Sequence, residues 1–534
     1  MRKLLAMLLL VVAGSLALSP LGCGSSAAPA YNFGGGDGGP DATLEGGHAT
    51  PDAVTVLSGG DAFIPSALPP LIPCADGGSG DGGGGMTATL TGKVYDPAGK
   101  NPLYNVYVYV PTTSLEPIPS GPVCTQCQAP ASGSPMTSAS TAADGTFTLA
   151  NVPSGANVPI VLQLGKWRRH LTISTCSGGP APADGFFRLP RKQAETSPDD
   201  NIPLIAFTTG CDAAECFLVG RVGIDASEFT PPTGTGRVHM YAGDGLGPAL
   251  QLWSTLSDWM KYDIVFDACE CAPLDRGGSG TTNLGYANFL AYLNAGGRAF
   301  ATHFFYNFFA DPMQCLDGTG STGFLTDAGT VTFDAATGGA SSSCHGQGAL
   351  PMVASWEANT GQAFAPAAMC PNSAALGVEC MSIDTTIPKG AAFAQWYQAN
   401  NAQLGGDGGT GGGEAYGYVG LTDIRADMGP LPASLVSAGA ATPWLYAGDL
   451  GGAYDAYYMG FNTPVGAPLA QQCGRAIFSD VHLDGSGGDG AFPSYCQAAS
   501  AGHGSNELAL EFLFFDLSSC VQDDTAPPPP PPSK

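Results

Sequence analysis

The chain has 534 residues, with 45 Asp and Glu against 19 Lys and Arg and a net charge of −26 at pH 7. So acidic a chain argues against a nucleic-acid partner and against electrostatic adhesion to anionic lipid. The length leaves room for two or three domains.

In chain order, the first feature is residues 1–22, "MRKLLAMLLLVVAGSLALSPLG". Arg2 and Lys3 precede an apolar run that is too short for a confident membrane span and gives way to small residues, the layout of a secretory signal peptide. It ends at Leu21-Gly22-Cys23. This resembles a bacterial lipobox, with Pro20 where that motif prefers Leu. The resemblance implies cleavage before Cys23, lipidation of Cys23, and membrane attachment through the lipid. With Gly24 rather than Asp next, it also implies an address at the outer membrane or cell surface. An ordinary cleaved signal is the alternative.

Residues 23–86 are dominated by Gly, Ala, Ser, Pro and Asp. They cannot bury enough apolar surface to offset their ordering entropy, so they read as a flexible tether. Sixteen cysteines in an exported chain predict disulfides. If Cys23 carries lipid, an odd number remains. The close pairs Cys124/Cys127, Cys211/Cys216 and Cys269/Cys271 are the nearest partners in sequence.

Residues 87–180 alternate. "TATLTGKVYDPAG", "LYNVYVYVP" and "TAADGTFTLANVPSGANVPIVLQLGKW" give short strands separated by Gly and Pro turns, which predict a small β-sandwich. Gly92-Lys93-Val94-Tyr95-Asp96, the alternation from Val106 to Val110, and Asp144-Gly145-x-Phe147-x-Leu149-x-x-Val152-Pro153-x-Gly155 resemble a carboxypeptidase regulatory-like domain. That family is a prealbumin-like sandwich and carries no chemistry. The insert "SGPVCTQCQAPASGSP" departs from its spacing and predicts a disulfide-pinned loop.

From 200 to 522 the pattern becomes strand–helix–strand. "NIPLIAFTTG", "GRVHMYAG", "YDIVFDAC", "RAFATHFF" and "GRAIFSDVH" read as apolar strands, with helices at "LQLWSTLSDWM", "NLGYANFLAYLNAGG" and "NELALEFLFFDLSSC". This predicts an α/β domain with a flavodoxin-like parallel sheet, interrupted by an irregular insertion at about 311–415. In the last helix Leu508, Phe512 and Phe515 form the expected buried stripe. Residues 523–534, ending in polyproline, read as a disordered tail.

Tyr262-Asp263-Ile264-Val265-Phe266, Gly296-Gly297-Arg298-Ala299-Phe300-Ala301-Thr302-His303 and Gly474-Arg475-Ala476-Ile477-Phe478 followed by His482-x-Asp484 resemble the class I glutamine amidotransferase-like fold. Within it, the trehalose-utilisation-type branch is most similar. A glutaminase needs a Cys at the strand-to-helix elbow. Here the elbow reads "ATHFFYNFF", so Cys-dependent amidotransfer is disfavoured.

Sheets of this type place sites at the carboxyl ends of their strands. The expected site is therefore His303, His482, Asp480 and Asp484, beside Phe304, Phe305, Tyr306 and Trp444. Four readings stay open. His303, His482 and Asp480 suit a divalent metal; His303, His482 and Asp484 suit acid–base catalysis. The whole group suits a glycan pocket, and equally a hydrogen-bonded structural cluster. The first expectation is a surface binding protein, with glycans as the candidate ligand. The rivals are a hydrolase or sugar-modifying enzyme and a structural envelope component.

Overall fold

The computed structural model describes residues 87–528 except 125, 126, 128–130, 176–182, 211–213, 242–247, 270–283, 303, 304, 306, 307, 310–332, 335–338, 341–364, 366–368, 372–378, 402–412, 422, 423, 425–435, 437–440, 449–453, 482, 484–491 and 497–503. The signal peptide, Cys23 and the tether lie outside the described residues, as do His303, Phe304, Tyr306, His482 and Asp484.

The alternating region forms six strands: β1 (Thr87–Lys93), β2 (Tyr107–Pro111), β3 (Pro135–Ser140), β4 (Thr146–Pro153), β5 (Val158–Leu164) and β6 (Trp167–Ile173). They make two antiparallel sheets, β1-β4 and β3-β2-β5-β6. Val106, Val108 and Val110 point inward and are buried, as a period of two requires. Tyr109 alternates to the other face yet is also fully buried. Residues of the link to the next region lie over that face. Arg168 donates from Nε to the Asp199 carbonyl at 2.9 Å, and Asp200 accepts from the His170 amide at 2.8 Å.

The second region is built on one ten-stranded sheet. Its strands are β7 (Ile205–Thr208), β8 (Phe229–Thr230), β9 (Val238–Tyr241), β10 (Ile264–Asp267) and β11 (Arg298–Thr302), then β14 (Glu379–Ile383), β15 (Tyr418–Leu421), β16 (Ala441–Gly448), β17 (Tyr454–Thr463) and β18 (Gly474–Ser479). A separate pair, β12 (Phe333–Asp334) and β13 (Gly339–Ala340), lies within the insertion. The strand order is β15-β14-β16-β17-β18-β11-β10-β7-β9-β8.

From β18 to β8 neighbours run parallel. From β15 to β18 they run antiparallel. The expectation of a parallel sheet is thus corrected to a mixed one. The connections β16 to β17 and β17 to β18 are too short for the crossover that parallel pairing requires, so they close as hairpins.

The helices are α1 (Pro248–Ser254), α2 (Leu256–Trp259), α3 (Leu284–Asn294), α4 (Pro388–Asn401) and α5 (Gly504–Ser518). None of the described helices is long and apolar enough to cross a membrane. In α5 the expected stripe is too narrow: 13 of its 15 residues are buried. The reason is its position between the large sheet and the sandwich. Trp167 of β6 sets its ring against Phe514 and Phe515, and its Nε1 donates to Ser518 Oγ at 3.3 Å. Tyr104 stacks on Phe512 with centroids 6.0 Å apart. Gly165, at φ +55°, lets the hairpin approach so closely that a Cβ there would stand 1.7 Å from the Ser518 carbonyl. Sandwich and α/β residues therefore share one apolar core.

Covalent links reinforce the same junction. Cys124 bonds Cys473 and Cys127 bonds Cys520, tying the sandwich's loop to the α/β region. Cys216 bonds Cys496 and Cys370 bonds Cys380. The local pairs Cys124/Cys127 and Cys211/Cys216 are thereby corrected: three of these cysteines reach partners far along the chain, and Cys211 lies outside the described residues.

Two buried polar groupings complete the junction. Lys389 lies 2.7 Å from Asp516 and 2.9 Å from Asp524, and Arg475 lies at the same two distances from the same acids. Two cations thus balance two anions in a closed set. It also holds the chain beyond residue 523, where the tail was expected to begin. Nearer the sandwich, Asp96 and Glu511 are both fully buried and share a hydrogen bond. Asn101 joins them, its amide donating to Asp96 Oδ2 at 3.1 Å and its Nδ2 to Glu511 Oε2 at 2.7 Å. A proton held between the carboxyls supplies the donor that Glu511 Oε1 otherwise lacks among the described residues.

Candidate functional site

The parallel strands end in polar residues. β7 ends at Thr208, β10 at Asp267, β11 at Thr302 and β18 at Ser479, with Asp480 next; all five are fully buried. Alternation assigns them to faces. Val265 and Phe478 belong to the core on the α1–α3 side, and Ile264, Phe266 and Ile477 to the core shared with α5. Asp267 and Asp480 therefore share the first face with Thr208, while Thr302 and Ser479 take the second.

Hydrogen bonds fit this assignment. Trp253 of α1 donates from Nε1 to Asp267 Oδ1 at 3.2 Å. Thr208 Oγ1 accepts from the Ala268 amide at 3.2 Å, and Thr302 Oγ1 accepts from the Cys269 amide at 2.9 Å. Both threonines thus fix the chain as it leaves β10. The Asp480 amide donates to the Tyr457 carbonyl at 2.7 Å. Because β11 lies between β10 and β18, and Asp480 lies two residues beyond the position level with Asp267, the two acids stand roughly 12 Å apart across the sheet.

The sheet is electrically polarised. None of the described residues at these strand ends is Lys or Arg. Arg298 and Arg475 instead sit at the amino ends of β11 and β18. There Arg298 donates to the carbonyls of Gly296, Cys473 and Ser519. Burial, with Arg475 nearby, pulls its guanidinium down to about 10. Among the described residues, the carboxyl edge carries acids, hydroxyls and rings.

Asp480 and Phe305 are thus buried at the edge where the sequence expects a site. Trp444 is elsewhere: it is fully buried on β16, with its Nε1 against Gly460 of β17. His303, His482, Asp484, Phe304 and Tyr306 lie outside the described residues. Among the described residues no group of three His, Cys, Asp or Glu is arranged to hold a metal. Asp267 and its partner Trp253 escape the sequence reading. Their signal is nonetheless present: "IVFD" ends an apolar strand in an acid just as "AIFSD" does.

No family model, no curated protein and no solved structure matches this chain.

Proposed function

We propose that this chain is an exported, lipid-anchored surface protein that binds a glycan at the carboxyl edge of its α/β region. The observation that carries the reading is the pair Asp267 and Asp480, buried on one face at the carboxyl ends of β10 and β18, the face whose core is rich in aromatic rings. Ionised carboxylates accept hydrogen bonds from sugar hydroxyls, and ring faces suit the apolar side of a pyranose. The resemblance to the trehalose-utilisation-type branch of the amidotransferase-like fold supports the same reading. So does the resemblance of residues 87–180 to a non-catalytic surface module. Four disulfides among the described residues point to an oxidising compartment outside the cytoplasm.

The test is a glycan array probed with the mature chain, alongside the double variant Asp267→Asn, Asp480→Asn. Binding by the native chain and its loss in the folded variant is the expected result. No binding by either ends the reading. For the anchor, Cys23→Ser is expected to move the protein from the membrane fraction to the soluble one; retention with undiminished lipid label excludes lipidation at Cys23.

A further inference from the structure

At the amino edge of the sheet, opposite the acidic strand ends, the sandwich and the α/β region enclose a cavity of about 330 Å³. We propose that this cavity is a second binding site, for a small carboxylic acid with a flat apolar body.

Its walls are apolar where Pro117, Ile118, Pro119, Leu164 and Ile264 line it. Gln522 is 4% exposed, and its Nε2 is buried without a hydrogen-bond partner among the described residues. Arg168, also 4% exposed, directs Nε to the Asp199 carbonyl at 2.9 Å and Nη1 to the Glu116 carbonyl at 2.8 Å, which fixes its guanidinium in the wall. Both residues line the cavity. Buried donors in folded proteins find acceptors. A buried amide donor beside a guanidinium calls for a ligand that brings oxygen atoms, and a guanidinium favours a carboxylate.

Lys166 and Asp263 of the lining are already committed to the walls. Lys166 donates to the carbonyls of Pro119 and Gly121 and lies 2.6 Å from Asp263. Asp263 is further offset by Arg237 at 3.6 Å. The lining still carries three cations, Lys166, Arg168 and Arg298, against two acids, Glu116 and Asp263. In a chain of net charge −26 that local excess selects against cationic ligands. The volume lies at the small end of ligand pockets, enough for one ring and its substituent. Cys127 and Cys520, joined by a disulfide, are part of the wall, so the space is held open before anything binds.

The test is saturation-transfer NMR on the mature chain with benzoate, benzamide and toluene. These share a ring and differ in the acceptor. The expected order is benzoate, then benzamide, then toluene. Ala131→Trp, on the wall, should abolish binding of all three. Gln522→Leu should weaken benzoate about tenfold, the loss of one good hydrogen bond. Arg168→Met should erase the preference for benzoate over benzamide. A native chain that takes none of the three at millimolar concentration overturns the proposal, as does benzoate binding unchanged in Ala131→Trp. If Ala131→Trp does not fold, Gln522→Leu decides: unchanged benzoate affinity in a folded variant overturns the site.

Discussion

The two edges of the large sheet are built from the same strands and do opposite work. At the amino edge, cations meet carbonyls and acids, two disulfides cross to the sandwich, and α5 is enclosed on nearly every side. At the carboxyl edge, acids and hydroxyls end the strands. Paired charges and crosslinks stabilise. The contrast teaches that, among the described residues, the crosslinks to the sandwich and the buried ion pairs gather at one end of the strands.

The largest expected effect breaks the amino edge. The disulfides Cys124–Cys473 and Cys127–Cys520 close loops of 349 and 393 residues. Bridges over long loops contribute about 3–5 kcal/mol each in the chain-entropy account. Cys473→Ala with Cys520→Ala is expected to lower the melting temperature in calorimetry far more than Cys370→Ala with Cys380→Ala, whose loop spans 10 residues. Equal losses would mean that the crosslinks do not make the amino edge special.

Next in size is Trp167→Ala, which empties the contact between β6 and α5. A buried Trp-to-Ala change costs about 3–5 kcal/mol, measurable by denaturant titration. It should lower the stability of the whole chain in one transition, because the core is shared. Two separated transitions would show that the sandwich and the α/β region unfold independently.

The third expectation concerns pH. Burial, and then the facing Glu511, pushes the Asp96 carboxyl well above its usual range, and burial raises Glu511 against the pull of Arg221. Above the ordinary carboxylate range the folded chain therefore holds a proton that the unfolded chain has lost. Stability falls as pH rises through that window. Asp96→Asn should flatten this slope.

Asp524 has the opposite sign. Although burial pushes it up, Arg475 and Lys389 hold it down to about 2. Its contribution is present above pH 4 and is lost as the pH falls toward 2. Urea midpoints across pH 2 to 8 test both signs, and a flat profile in the native chain would contradict them.

The smallest effect on stability is expected at the carboxyl edge. Asp267→Asn keeps an oxygen for Trp253 Nε1 and nearly the same side-chain volume, so the change should stay within about 1 kcal/mol. A loss as large as that of Trp167→Ala would make the acid structural and weaken the contrast between the edges.

Much of this was legible in the residues. Period-two alternation gave the sandwich strands, and apolar runs gave β7, β9, β10, β11 and β18. Asp480 was marked by its place at the end of such a run. The antiparallel half was not legible, because pairing direction depends on connection length rather than on the strand's own pattern. α5 was misjudged as one-sided because its second apolar face answers to Trp167, more than 330 residues earlier. Asp267 carries the same kind of mark, an acid closing the apolar run Ile264-Val265-Phe266, but no nearby histidine singled it out. The disulfides defied local reading for the same reason as α5: the partners are near only after folding.

That last point has a consequence for how the molecule is made. Cys124 and Cys127 emerge from synthesis with only each other nearby, hundreds of residues ahead of Cys473 and Cys520. An oxidant acting on the growing chain would join the early two in a short ring that the finished fold does not contain. The thiols must then stay reduced until the last helix arrives, or the wrong bond must be reopened by thiol–disulfide exchange. Yield of this protein is therefore expected to follow the disulfide-exchange capacity of its compartment. A host that oxidises cysteines quickly but exchanges them slowly should accumulate a full-length, soluble, crosslinked and misassembled chain.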